Sequence, residues 1–339
     1  MSMKTAVVVT SISAPNAVLR SISQGSSERG WSFLVVGDRK SPPEFQLDGA
    51  RFYSLAKQSS LDFELAKICP EGHYCRKNLG YLLALSEGAD RIIETDDDNF
   101  PRDSFWESRH PSRAVNTISG NGWCNVYSLF TDRTIWPRGF PLNLVRSTEQ
   151  SWLLSDTTRI SNSPIQQGLA DDNPDVDAIY RMLFELPITF DEKPDIALEK
   201  NVWCPFNSQN TCWYQPAFPL LYLPATCSFR MTDIWRSFVA QRVAWECGWS
   251  ILFHAPSVYQ ERNEHDLHRD FVDEMCGYEH NQRMCDALNE LSLKPGIEHI
   301  QNNLYRCYEL LVNENYLDAR ELVLLSTWLN DINNYVSIG

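Results

Sequence analysis

Arg91-Ile92-Ile93-Glu94-Thr95-Asp96-Asp97-Asp98-Asn99 is the stretch whose reading decides the fold: a short apolar run that ends on three consecutive carboxylates. The run Arg91–Glu94 has the length and composition of a buried strand. Placing three acids at its end is electrostatically costly, because two carboxylates about 4 Å apart repel by roughly 4 kcal/mol at an effective dielectric of 20. Something should neutralise them. On an extended backbone Asp96 and Asp98 project to one side and Asp97 to the other, so the D-x-D pair can converge on a single cation. Ligation by oxygen alone favours Mg²⁺ or Mn²⁺, which normally also take phosphate oxygens. The other reading is a solvated acidic turn in which Asp98 or Asn99 caps a helix.

Outward from this stretch, strand-like and helix-like patterns alternate. Ala6–Val9 and Phe33-Leu34-Val35-Val36 read as strands, the second ending at Gly37-Asp38, while Ala14–Ser23, Leu61–Lys67 and Lys77–Ser86 read as helices. Alternation with short connections predicts an α/β domain whose mostly parallel central sheet is covered on both faces. Ligands of such sheets bind outside the carboxyl ends of the strands, where Asp96–Asp98 lie. From Asn99 to Pro224 periodicity is weak, with Pro, Gly, Asn and Trp frequent, which predicts ordered loops and short strands of the kind that build substrate pockets. Thr232–Cys247 predicts an amphipathic helix closed by Gly248. Two further helical patterns, through Leu304, Leu310 and Leu311 and through Leu322, Leu325, Trp328, Leu329 and Ile332, predict a C-terminal helical appendage.

The bulk properties set the partners. A net charge of −14 without a Lys/Arg-rich run argues against nucleic acid or an anionic membrane as the main partner, so an anionic ligand has to be neutralised locally. The 339 residues suffice for a large core. No stretch reaches the roughly 18 to 20 apolar residues of a membrane span, and Ala6–Val9 is too short for a signal-peptide core. A soluble, cytoplasmic chain is expected, unless it is a fragment that has lost an anchor. The ten cysteines have irregular spacing without a C-x-x-C pair and read as mostly buried, reduced thiols.

Six segments then carry a resemblance. Val36-Gly37-Asp38-Arg39-Lys40-Ser41-Pro42, Arg76-Lys77-Asn78-Leu79-Gly80-Tyr81-Leu82, Trp136-Pro137-Arg138-Gly139-Phe140-Pro141-Leu142, Ile165-Gln166-Gln167-Gly168-Leu169, Asp175-Val176-Asp177 and Pro205-Phe206-Asn207-Ser208-Gln209-Asn210-Thr211 closely resemble, in the same order, the glycosyltransferase-like domain of the STELLO proteins. More distantly the layout resembles the reversibly glycosylated polypeptides, which act as UDP-arabinopyranose mutases. The resemblance implies a glycosyltransferase A-type nucleotide-diphospho-sugar fold over residues 1–261, with a nucleotide-binding half at 1–100 and a sugar and acceptor half at 101–261. Residues 262–339 would be the appendage. It also implies a metal-dependent glycosyltransferase with a nucleotide-sugar donor, UDP-sugar as first guess, a glycan or other hydroxyl acceptor, and Mn²⁺ or Mg²⁺. The rivals are a UDP-sugar mutase and a family member that assembles without catalysing.

The candidate residues follow. Asp38 ends the second strand and can accept from a base or ribose, or serve a turn. Arg76 and Lys77, at a helix start, can meet the diphosphate together with the helix dipole, and Asn78 can read a base edge or cap the helix. Thr10 and Asp97 join this nucleotide-binding set, and Asp96 and Asp98 are the metal ligands. Arg138 corresponds to the arginine glycosylated in the mutase-like family, which would place it beside the sugar or diphosphate. Asp177, and Asp175 with it, are candidates for acceptor hydroxyls, although Pro174 ahead of them suggests a helix start. Asp233 matches an acid that faces the sugar, as general base or as support for an oxocarbenium-like centre, or else caps its helix. Arg230 can pair with it. In one place the chain departs from the family: both families carry a metal-ligand His in the segment matching Ser257-Val258-Tyr259-Gln260, and this chain has none there. His254, His265 and His268 are the substitutes in reach of the sequence.

Overall fold

The computed structural model describes residues 3–147, 149–261 and 266–335. Its strands are β1 (Thr5–Thr10), β2 (Ser32–Val36), β3 (Ala50–Tyr53), β4 (Arg91–Thr95), β5 (Asn99–Pro101), β6 (Ser112–Gly120), β7 (Gly122–Trp123), β8 (Trp152–Leu154), β9 (Arg159–Asn162), β10 (Ile165–Asp171), β11 (Ile196–Leu198), β12 (Val202–Trp203), β13 (Asn210–Tyr214) and β14 (Ile251–Gln260). Its α-helices are α1 (Ala17–Glu28), α2 (Leu55–Ser59), α3 (Glu64–Ile68), α4 (Lys77–Ser86), α5 (Ala178–Leu183), α6 (Thr232–Glu246), α7 (Leu267–Glu290), α8 (Ile300–Asn313) and α9 (Arg320–Ile332).

Among the described residues twelve strands join in one sheet, ordered β3-β2-β1-β4-β13-β10-β14-β11-β6-β8, with β5 beside β14 and β9 beside β6. From β3 to β14 every strand runs the same way except β13, which is antiparallel to both β4 and β10. The expected parallel sheet is therefore the central part, and the far edge is mixed. Both faces are covered: Val7 and Val9 of β1 point into a cluster with Val18, Leu19 and Ile22 of α1, while Ala6 and Val8 point to the opposite face with α4, α6, α8 and α9. This two-sided burial is why the strands read as unbroken apolar runs. The architecture is α/β with C-terminal helices and is compatible with a glycosyltransferase A-type fold.

Helix α4 sits close on the sheet because Gly80 leaves no side chain between them. A Cβ there would lie 2.6 Å from Val8 Cγ1 and 2.8 Å from Val36 Cγ2. At its end β4 places Glu94 wholly inside the core, where it accepts from Trp213 Nε1 at 2.8 Å, from Arg236 at 2.8 and 3.0 Å, and from the Tyr81 hydroxyl. A buried carboxylate needs this degree of partnership to offset its loss of hydration.

The C-terminal helices are built into the same core. Trp328 of α9 is fully buried against Tyr81 and Tyr222, and its indole N–H donates to Pro219 O at 3.2 Å. Asp331 accepts from the backbone N–H groups of Glu64 and Leu65 at 3.1 and 2.8 Å, so α9 caps the free N-terminus of α3. Among the described residues no helix is long and apolar enough to cross a membrane.

Candidate functional site

The carboxyl ends of β1, β2 and β4 meet where the chain order reverses, with β2 and β3 on one side of β1 and β4 on the other. Side chains tie these ends together. The Ser11 hydroxyl donates to Asp97 Oδ2 at 2.5 Å, and Asn16 Nδ2 donates to the Asp97 carbonyl at 2.7 Å. Asn16 also caps α1 through Leu19 N, which starts that helix three residues later than the sequence pattern suggests. Asp38 accepts from the N–H groups of Gly72 and His73 at 2.7 and 3.1 Å, so it braces the loop before α4, the turn role that the sequence also allowed. Thr10 ends β1 half-buried beside this junction.

Asp96 already has a cation. Lys77 Nζ lies 3.1 Å from Asp96 Oδ1 and is fully buried, held also by Thr95 O at 2.8 Å, the Tyr74 hydroxyl at 2.8 Å and Ser208 O at 3.3 Å. The Tyr74 hydroxyl donates to the same Asp96 oxygen at 2.7 Å. Burial nonetheless pushes the Asp96 carboxyl above its usual range, against the pull of Lys77 and Tyr74. Lys77, expected to meet a diphosphate, is instead the buried counter-ion of Asp96.

From Asp96 a chain of polar contacts crosses to the second half. Tyr74 and Ser208 share a hydroxyl bond at 2.5 Å, and Asp233 Oδ2 accepts from Ser208 N at 3.1 Å and Ser208 Oγ at 3.2 Å. Arg138 then faces Asp233 at 3.1 Å through Nη1 and at 3.1 Å through Nη2. Its Nε and Nη2 reach Asp175 at 2.8 and 2.7 Å, and Nη1 also donates to Arg230 O. Every nitrogen of the guanidinium is occupied by protein. Two carboxylates outweigh the burial of Arg138 and hold its pKa well above the ordinary value. Burial raises the Asp233 carboxyl, yet Arg138 and Ser208 more than reverse this and bring it down to about 2. An acid of that strength is a poor proton acceptor at neutral pH, so of the two roles expected for Asp233 the geometry fits a fixed negative charge. The loop holding Arg138 turns at Gly139, whose φ of +90° and whose contact of 2.5 Å to Ile234 for a would-be Cβ both require glycine.

Other expected residues serve the scaffold. Arg76 is buried, with Nε donating to Gln58 at 2.7 Å and Nη1 to Cys69 O at 2.9 Å. Asn78 clamps the Leu223 backbone, donating to its carbonyl and accepting from its N–H at 2.9 Å each, and so fixes the turn before α6. Asp177 caps α5 through Tyr180 N at 2.7 Å and accepts from Trp136 Nε1 at 2.6 Å. Burial pushes its carboxyl up to about 6. The helix start signalled by Pro174 is what the structure realises there.

The cation reading is tested by the donors that remain. Among the described residues no group of three or more His, Cys, Asp and Glu side chains is placed to hold a metal. His254 is buried beside a cavity of about 20 Å³ that also touches Arg91 and Arg109, and burial with Arg109 lowers its pKa to about 3. His268 is exposed next to Asp266, and His265 lies outside the described residues. In the segment where the resemblance expects a histidine, Ser257–Gln260, Gln260 Nε2 meets Asp98 Oδ2 at 3.0 Å. Asn99 Nδ2 approaches Asp98 Oδ1 at 3.3 Å. The donors gathered at this strand end are oxygens and carboxamides, and oxygen ligands with a ligand phosphate are the set that suits a hard cation such as Mg²⁺. Tyr74, Ser208 and Ser11 escaped the sequence reading, although Ser208 lies inside one of the quoted motifs.

Comparison with known proteins accords with this layout. The family model for STELLO glycosyltransferases matches residues 230–337, across the boundary expected at 261/262. The probable glycosyltransferase STELLO2 of Arabidopsis thaliana is 30% identical over 275 residues, covering 71% of this chain and 35% of that protein. The probable glycosyltransferase STELLO1 of the same plant is 29% identical over 281 residues, covering 75% of this chain and 35% of that protein. The chain thus spans about a third of the length of these curated relatives. Over the stretch that these matches cover, the chain belongs to the STELLO-like family.

Proposed function

We propose that this chain is a glycosyltransferase domain that binds a nucleotide-diphospho-sugar, with a UDP-sugar the first donor to try, and passes the sugar to a hydroxyl acceptor. The observation that supports it is the bridge from Ser11 to Asp97, which gathers three adjacent acids at the sheet's switch point, where α/β proteins bind nucleotides. An acidic chain can accept a diphosphate there only with added positive charge. A hard divalent cation held at the Asp96–Asp98 cluster would supply it, and would contribute Lewis-acid stabilisation of the leaving diphosphate. Lys77 keeps Asp96 in place and neutral as a pair. Asp233, held ionised by Arg138, offers a fixed negative charge to a sugar centre that becomes positive in the transition state.

The mutase alternative needs an arginine open to the sugar. Arg138 is enclosed by Asp175, Asp233 and Arg230 O, which favours the transferase. Calorimetric titration with UDP, GDP and ADP, each with Mn²⁺ or with EDTA, tests the proposal: UDP binding that Mn²⁺ strengthens at least tenfold and that Asp98→Asn removes is expected. Absence of binding by all three nucleotides at millimolar concentration would overturn it.

A further inference from the structure

The loop that delivers Tyr74 to Asp96 begins and ends on cysteines. Cys69 closes α3, and Cys75 sits in the single turn Tyr74–Arg76 that leads into α4. Both are free thiols, and both are buried. Their sulfurs lie 3.8 Å apart. A disulfide holds its sulfurs about 2.05 Å apart, so rotation of the two side chains closes the gap. Among the described residues no third His, Cys, Asp or Glu side chain joins them in a group that could hold a metal. Two thiols without further ligands are equipped for a bond to each other rather than for a soft-metal site. The stretch between them lies at the surface at Glu71 and Gly72, where the backbone turns with a φ of +70° at the glycine. Asp38 accepts from Gly72 N and His73 N, His73 Nδ1 accepts from Cys75 N at 3.1 Å, and Cys69 O accepts from Arg76. With both thiols reduced, hydrogen bonds and packing alone hold the loop.

We propose that Cys69 and Cys75 form a reversible disulfide that locks this loop, so that the redox state of the surroundings sets how firmly Tyr74 is held against Asp96 and Ser208. The oxidant is a low-molecular-weight disulfide. Cys69, the less buried of the two, gives up its proton and attacks one sulfur of the oxidant, releasing one thiol and leaving a mixed disulfide. The Cys75 sulfur, having lost its own proton, then attacks Cys69 Sγ and releases the second thiol. Both protons end on the released thiols, and the two electrons lost by the cysteines are gained by the oxidant. The hydrogen bond from Cys69, together with burial, pushes the Cys75 thiol up, so exchange in the folded chain is slow at neutral pH and quickens as pH rises. The switch requires neither nucleotide nor metal, and so stands apart from the function proposed above.

The test equilibrates the full chain in buffers of reduced and oxidised glutathione until its mass is constant, quenches it with acid and alkylates it in denaturant. In excess oxidised glutathione, peptide maps should join Cys69 to Cys75, with the loss of about 2 Da that one disulfide brings. Amide hydrogen exchange across residues 70–76 should then slow by about tenfold against the reduced chain, and the melting temperature should rise by about 3 °C. In Cys75→Ser neither quantity should differ between the two buffers. If that variant fails to fold, the wild type in the two buffers carries the comparison alone, since the bond is read by mass. Three results would overturn the inference: both thiols recovered alkylated at every glutathione ratio, a bond that leaves exchange across the loop unaltered, or a folded Cys75→Ser chain whose loop still responds to the buffer.

Discussion

Arg138 shows how a residue can be singled out by sequence for one reason and used by the fold for another. Its place in Trp136-Pro137-Arg138-Gly139 marks it as special, but nothing local in that motif announces that Asp175 and Asp233, 37 and 95 residues away, will take both edges of its guanidinium. Removing one partner of a buried pair typically costs about 3 to 5 kcal/mol. Arg138→Ala should lose that much in urea unfolding, so its effect on ligand binding has to be judged on folded protein; a loss under 1 kcal/mol would show the network to be dispensable. Asp177 makes a complementary case. Its folded pKa of about 6 stands above the ordinary 3.8, so the folded state holds more protons than the unfolded state between about pH 4 and 6. Its contribution is therefore complete below about pH 4 and is lost as pH rises through 6, by up to about 3 kcal/mol at 1.36 kcal/mol per unit. Asp177→Asn should flatten the dependence of stability on pH in that window, measured by urea titrations at pH 4, 5 and 6. An unchanged slope would assign the pH dependence to other groups.

At the scale of elements, periodicity was enough wherever a strand is buried on both faces or a helix carries its own signals. β1, β2, β4 and α6 lie where the apolar runs put them. The ends are less legible because caps decide them: α1 waits for Asn16, and the short α3 is capped by Asp331, 266 and more residues downstream. β3 and α2 are half-exposed and have little apolar pattern to read. The 24-residue α7 was also hidden, since its buried positions include Asp270, Glu274 and Asn281 rather than an apolar stripe. Within the site, Asp96 and Asp98 were singled out by type and spacing, Lys77 by its place at a helix start, and Asp233 only by the family resemblance. Tyr74 and Ser208 were not, because a single hydroxyl carries no spacing signal. The one element contact with a simple test is Gly80 of α4. A methyl group there would meet Val8 and Val36 at under 3 Å, and such overpacking costs about 1 to 3 kcal/mol. Gly80→Ala should lower the midpoint of urea unfolding, although alanine is the better helix former; a more stable variant would mean that α4 does not sit this close to the sheet.

For the whole molecule, the issue is whether residues 262–339 are an appendage or a part of the same fold as the sheet. The strongest link is Glu321 of α9, a fully buried carboxylate. It accepts from the Tyr222 hydroxyl at 2.5 Å, from Ala225 N at 3.0 Å, and from Thr226 N and Oγ1 at 2.8 and 2.7 Å. Burial raises its pKa and these bonds pull it back. The loop it holds runs directly into Phe229, which packs edge-on against Tyr74 at 5.6 Å, and into Arg230 and Asp233. A helix more than 90 residues downstream thereby fixes the approach to the site. Glu321→Ala would strip partners from four buried or half-buried donors, and at about 1 to 3 kcal/mol each even partial rehydration leaves a loss of several kcal/mol. Glu321→Gln keeps one acceptor and should lose less. A chain cut after residue 261 should then lack a cooperative melt and near-ultraviolet dichroism, since Trp328, Glu321 and Asp331 would all be missing from its core. If instead that fragment melts cooperatively and still binds UDP with Mn²⁺, the C-terminal helices are an independent appendage, and the boundary read from sequence at 261/262 is a true domain boundary.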